Sequence, residues 1–185
     1  AYQHLAVGQD QTVTIPITVT DQDGGTDTQN LVLTVHGVND AAKIIDLGNS
    51  GVKEDTKVVA GYLQAHGQLG IVDVDDGEKY FTHETIAGQF GSFKISPDGT
   101  WKFKADNSLQ AIQSLANGQT ISDVATITTA DGTTQDLVVI ITGSKDHPII
   151  HVKTADVTGN VVEDNSLLTH GALTSTAVDQ TSTLT

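Results

Sequence analysis

The chain of 185 residues carries 9 Lys+Arg against 23 Asp+Glu, a net charge of -14, with neither cysteine nor arginine. Without cysteine there is no disulfide framework, zinc–thiolate site or thiol nucleophile, and an acidic, Arg-free surface argues against nucleic acid and against anionic membranes. No apolar run approaches the roughly 18 residues of a membrane helix, and the absence of methionine reads as an internal fragment of a longer chain.

In chain order, Thr12–Thr20 alternates apolar and polar residues, the period-two signal of a half-buried strand, with Pro16 favouring a sheet edge. Asn30 to His36 alternates in the same way. Phe90–Ile95 and Thr100–Lys104 flank Ser96-Pro-Asp-Gly99, in which Pro presets the turn and Gly supplies a positive φ, so a β-hairpin is expected. Trp101 alternates with Phe103 and is assigned to the core. Ser108–Ala116 holds the one helical pattern, with Leu109, Ile112, Leu115 and Ala116 on one face and Asn107 or Ser108 as cap. Ala130-Asp-Gly-Thr133 predicts a second hairpin between Thr120–Thr129 and Thr134–Thr142. Short strands, regular turns and Thr/Val enrichment point to an all-β fold, an Ig-like sandwich with one short helix per repeat.

The chain repeats itself. Ala1–Gln9 matches Ala111–Gln119, Thr28–Gly37 matches Thr134–Gly143, Lys53-Glu-Asp-Thr56 matches Val162-Glu-Asp-Asn165, and Ala65-His-Gly-Gln-Leu69 matches Thr169-His-Gly-Ala-Leu173. Offsets of 104 to 110 residues in constant order are domain-sized and too long for a solenoid. The expected organisation is the C-terminal half of one repeat (1–40), a complete repeat (41–146) and the N-terminal part of a third (147–185).

Acidic features recur near the expected joints. Asp73 and Asp75, two apart on a strand, project from one face, and two close carboxylates repel unless a cation or proton lies between them. Asp76 and Glu78 add oxygens at the following turn. Asp21 and Asp23 follow the same logic upstream, with Asp131 as the matching position, read chiefly as a turn residue. Asn39, Asp40 and Asp146 mark the joints, and Glu54-Asp55 and Glu163-Asp164 follow them. Oxygen-rich sets of this kind suit Ca²⁺, which takes six to eight oxygen ligands, and the expectation is that joint, Glu-Asp and Asp-x-Asp meet at one end of a sandwich. Nothing resembles a nucleophile elbow, phosphate loop or His-Glu-x-x-His motif, so no enzyme is expected. His66 and His170 recur before glycine and read as turn structure.

Glu54-Asp-Thr, Gly67-Gln-Leu, Asp73-Val-Asp-Asp-Gly, Phe90-Gly-Ser-Phe, Asp98-Gly-Thr-Trp-Lys-Phe, Gln113-Ser-Leu-Ala-Asn-Gly-Gln and Ile141-Thr-Gly, in that order, resemble the VCBS repeat of large bacterial RTX-type surface adhesins. The likeness spans about 41–146 in full and both flanks in part. Asn39-Asp40, Glu54 and Asp73/Asp75 also resemble cadherin linker ligands. The resemblance implies a cell-surface, calcium-stiffened tandem array that supports adhesion and biofilm formation. Its partners would be neighbouring repeats and, through other domains, host or bacterial surfaces. Departures lie at the joints: Gly37-Val-Asn-Asp-Ala-Ala42 lacks the usual proline, Gly143-Ser-Lys-Asp-His-Pro148 places Lys145 where asparagine is usual, and Ala177-Val-Asp179 lacks the first carboxylate of Asp73-Val-Asp75. The alternative is a carbohydrate- or peptide-binding module, which the 4% aromatic content disfavours for a stacking lectin.

Overall fold

Alternating residues sort onto two faces, and the buried faces decide the architecture. The structure, a computed structural model, describes residues 2–46, 50–147, 149–151 and 174–176. Strands β1 (Asp10–Thr20) and β2 (Thr26–His36) form a two-stranded antiparallel hairpin. Then follow β3 (Lys43–Asp46), β4 (Ser50–Lys53), β5 (Tyr62–Val72), β6 (Glu84–Ala87), β7 (Gly91–Ile95), β8 (Thr100–Asp106), a one-turn helix α1 (Gln110–Gln113), β9 (Thr120–Thr128) and β10 (Thr134–Thr142). They build a five-stranded sheet, β3-β5-β8-β7-β6, and a three-stranded sheet, β4-β10-β9, in which β4 and β10 run parallel. Finally β11 (Ile149–His151) pairs with β12 (Thr174–Thr176). The fold is all-β; no helix among the described residues is long and apolar enough to cross a membrane.

One core joins the two larger sheets. Leu63, Phe93, Ile95, Trp101 and Phe103 of the first meet Ala125, Ile127, Leu137, Val139 and Ile141 of the second, with Phe81, Ile112 and Leu115 closing the ends. Trp101 is 1% exposed and therefore core, as the alternation predicted. Its indole lies against Gly67, its cross-strand partner; a Cβ there would sit 2.8 Å from the ring. Gly67→Ala is expected to cost about 1–3 kcal/mol, since a rigid indole in a filled core has nowhere to move; a urea midpoint unchanged from wild type would count against this packing.

Both predicted hairpin turns form, with Gly99 at φ 83° and Gly132 at φ 87°. The helix is shorter than the pattern implied. Leu109 takes the cap position without a side-chain bond, and neither Leu109 nor Ala116 is buried; only Ile112 and Leu115 reach the core. A chain crossing one end of two sheets has a single turn to cover, so packing selects two apolar residues and leaves the others in solvent. No helix occurs within 2–40, so the expectation of one per repeat does not extend to that segment.

The first hairpin copies β9–β10 bond for bond at its base. Gly37 N–H donates to Gln9 O as Gly143 N–H does to Gln119 O; Gln9 N–H donates to Ala6 O as Gln119 N–H does to Ala116 O. The Gln9 and Gln119 side chains accept from Ala6 and Ala116 N–H. Extending that register sets Ile15, Ile17, Leu31 and Leu33 where Ala125, Ile127, Leu137 and Val139 stand. The latter four are at most 4% exposed, whereas the former are 42–49% exposed. The same face that packs on a sheet in 41–146 has no covering sheet among the described residues of the first hairpin.

Candidate metal centre

The strand end after β5 turns through Asp73-Val-Asp-Asp-Gly-Glu78, with Gly77 at φ 87°. Asp75 N–H donates to Asp73 Oδ1 at 2.9 Å, which curls the segment and sends both carboxylates inward. Asp73 is 4% and Asp75 0% exposed. Asp75 Oδ2 accepts the N–H of Asp40 at 2.8 Å, so the Asn39-Asp40 segment, where a joint was expected, is seated on the strand end. Gln3 Nε2 donates to Asp40 Oδ2 at 3.4 Å, and Asp76 N–H donates to His4 O at 2.9 Å, which ties the end of the first hairpin unit to the same place. Asp76 and Asn39 are themselves exposed.

Asp131 belongs to this pole as well as to its turn. Its Oδ2 accepts Ala42 N–H at 2.8 Å, and Thr129 and Thr133 hydroxyls donate to it. Burial pushes its pKa up, yet these hydrogen bonds together outweigh that and hold the carboxyl well below the usual range. Glu78 moves the other way. Desolvation first, then the charges of Asp75, Asp73 and Asp131, raise it above its ordinary value. Buried oxygens Asp73 Oδ2, Asp75 Oδ1 and Glu78 Oε2 have no hydrogen-bond partner. Among the described residues no lysine pairs with any of the three. Buried carboxylate oxygens without a donor are costly unless a cation neutralises them.

A second acidic set closes the opposite end. Glu54 follows β4, whose parallel pairing with β10 brings it beside the chain leaving that strand: Glu54 N–H donates to Thr142 O, and Glu54 Oε2 accepts Ser144 N–H at 2.9 Å. One carboxylate oxygen each from Glu54, Asp55 and Asp146 lie within 4.8 Å of one another. Glu54 is 0% exposed, Asp146 half-buried and Asp55 exposed. Asp55 adopts φ 56°, held by Asn107, whose amide donates to Asp55 Oδ1 at 2.7 Å and accepts its N–H at 3.1 Å. Three carboxylates so close could hold a metal ion.

The Asn39-Asp40 segment, the Glu-Asp pair and the Asp-x-Asp pair were expected to meet at one end; the structure instead places them at two. Strand β10 separates the poles, roughly 30 Å at about 3.3 Å per residue. Asn39 and Asp40 go with Asp73 and Asp75; Glu54 and Asp55 go with Asp146. Asp21 and Asp23 lie in the tip of the first hairpin, away from both sets. Asp21 Oδ1 accepts Asp23 and Gly25 N–H, just as Asp131 Oδ1 accepts Thr133 N–H, so it is the hairpin-turn counterpart of Asp131. Glu163 and Asp164 lie outside the described residues. From sequence, Glu78 was expected to add an oxygen at the turn, Asp131 was read chiefly as a turn residue, and Asn107 was considered only as a helix cap, so its hold on Asp55 is the contact that sequence reasoning missed.

A further buried acid serves the fold. Asp123, on β9, is 1% exposed and accepts the N–H groups of Gln89 at 2.6 Å, Phe90 at 3.0 Å and Gly91 at 2.7 Å, which pins the β6–β7 turn. No family model matches the chain, and no curated protein matches it significantly.

Proposed function

We propose that this chain is a calcium-binding segment of a tandem-repeat extracellular protein, a spacer of a large bacterial cell-surface adhesin in the manner of the VCBS repeat. The observation that carries the reading is the pair of acidic poles. At the first, residues of the joint are bonded to carboxylates of the following unit, whose remaining oxygens lack donors. At the second, Asp146, just beyond β10, meets Glu54 and Asp55. A cation at the first pole would bind chain on both sides of a joint, and one at the second would hold Asp146, the last residue before the next joint, against Glu54 and Asp55; both would stiffen an array without any catalytic step. Carboxylate-rich sets suit Ca²⁺, with its six to eight oxygen ligands in a flexible shell, better than Mg²⁺, which demands a small, near-octahedral one. On this reading residues 1–40 are the second half of a repeat, which accounts for the exposed apolar face of their hairpin.

The test is thermal unfolding in EDTA, in millimolar Ca²⁺ and in Mg²⁺. Binding to the folded state alone adds about 2.7 kcal/mol per site at a hundredfold excess over Kd, so Ca²⁺ is expected to raise Tm by roughly 10 °C and Mg²⁺ by far less. X-ray scattering should give a longer, narrower particle with Ca²⁺ than with EDTA. Superimposable scattering profiles together with an unchanged Tm would reduce both poles to solvated turns.

A further inference from the structure

We propose that the outer face of the five-stranded sheet is a binding groove for a linear carboxylated polysaccharide. Alternation along β5, β7 and β8 sends Leu63, Phe93, Trp101 and Phe103 inward, so Gln64, His66, Ser92, Lys94, Lys102 and Lys104 face out. They line a hollow of about 580 Å³. A smaller hollow of about 200 Å³ shares Gln64 and adds Lys53 and Lys57. Five of the nine cationic residues of an acidic chain thus line two adjoining hollows, and no acid lines either.

The register makes this arrangement costly for folding alone. Lys94 stands directly opposite Lys102, whose other neighbour is His66. Like charges facing each other across strands destabilise a sheet, and the acid in the same outward phase of β8, Asp106, accepts both the N–H and the hydroxyl of Ser108 at the strand's end. Lys104 Nζ sits 3.5 Å over the Tyr62 ring, which orients that ammonium and covers the ring. The row is regular, with strands about 4.8 Å apart and same-face residues about 6.6 Å apart along each strand.

The chemistry of the lining selects the ligand. Ammonium groups interleaved with Gln64, Thr85 and Ser92 match a polymer that offers one carboxylate and several hydroxyls per unit. DNA is a poor match. Its charge density of one per 1.7 Å would meet a protein of net charge -14, with no exposed aromatic ring in the groove for a base to stack on. This groove is distinct from both acidic poles and does not depend on bound metal.

Labelled polygalacturonate oligomers are titrated with the full chain in EDTA, which removes any bridging by divalent ions. Saturable binding is expected, weakening at least about tenfold between roughly 50 and 300 mM salt, as for contacts made by exposed charges. Dextran oligomers should not bind. Joint replacement of Lys94→Gln, Lys102→Gln and Lys104→Gln should weaken binding about tenfold or more. Replacing Lys43, Lys79 and Lys145 by Gln makes the same charge change outside the hollows and should alter binding less than about threefold. Both variants are first shown to unfold at the wild-type temperature. Equal losses in the two variants, binding of dextran, or tighter binding of a DNA duplex would overturn the proposal. So would self-association that the Lys94/Lys102/Lys104 replacement abolishes, which would assign the face to a second copy of this chain.

Discussion

Asp123→Ala should unfold this protein more readily by about 3–5 kcal/mol, in EDTA and in Ca²⁺ alike. The carboxylate accepts three consecutive N–H groups of the β6–β7 turn as well as the N–H of Val124, and it is almost fully buried. Deleting it strands donors that water cannot easily reach, and each such loss costs about 1–3 kcal/mol. Gly88 reinforces the point: a Cβ there would lie 2.2 Å from Asp123 Oδ1, so the turn is moulded around the acid. Asp123→Asn should fall between, because one amide oxygen still accepts while the NH₂ group faces donors. The measurement is a denaturant titration with both ionic conditions. A loss below about 1 kcal/mol, or one seen only with Ca²⁺, would remove the structural role. The corresponding position of the first hairpin is Val13, so this acid is particular to the 41–146 unit and is not a recurring ion ligand.

Why the sequence revealed some of this and hid the rest follows from particular residues. The strands from Phe90 to Thr142 were legible because large apolar side chains alternate cleanly and Pro-Asp-Gly or Asp-Gly punctuates them. Strand β5 was not, although it is one of the longest. Its inward positions include Ala65 and Gly67, the latter bare because the Trp101 indole fills the space a Cβ would take, so the alternation fades where the packing is tightest. The bonds around Gln9 and Gln119 are where the repeat inferred from matching residues has its clearest physical counterpart. At the acidic poles, residue types were legible and grouping was not. Glu54 and Asp73 are 19 positions apart, yet the parallel pairing of β4 with β10 carries Glu54 to one end and the long strand β5 returns Asp73 to the other. Asp123 carried no signal, since one acid in an alternating strand reads as a surface residue until the turn that needs it is seen.

Asp73→Asn with Asp75→Asn should have opposite signs in the two ionic conditions. In EDTA, the wild-type pole holds buried carboxylate oxygens without donors beside Glu78 and Asp131. Removing two charges relieves that repulsion while an amide oxygen can still accept Asp40 N–H, so Tm should hold or rise. In Ca²⁺ the same replacement removes ligands, and the calcium-dependent rise should shrink by about half. Glu54→Gln should take away the share of the other pole. With the sets roughly 30 Å apart, the two losses should add, as independent sites do. The pH dependence carries the same sign logic. Glu78 is raised in the folded state, so in EDTA its contribution grows as pH falls through its folded value and is complete below its ordinary value of 4.5. Asp131 is lowered, so its contribution is present above the unfolded carboxylate range and is lost as pH falls further. Stability in EDTA should therefore peak on the mildly acidic side. Calcium should displace that peak toward neutral pH, because protons compete with the ion for the same oxygens. Identical pH profiles with and without Ca²⁺ would show that neither pole takes up the ion.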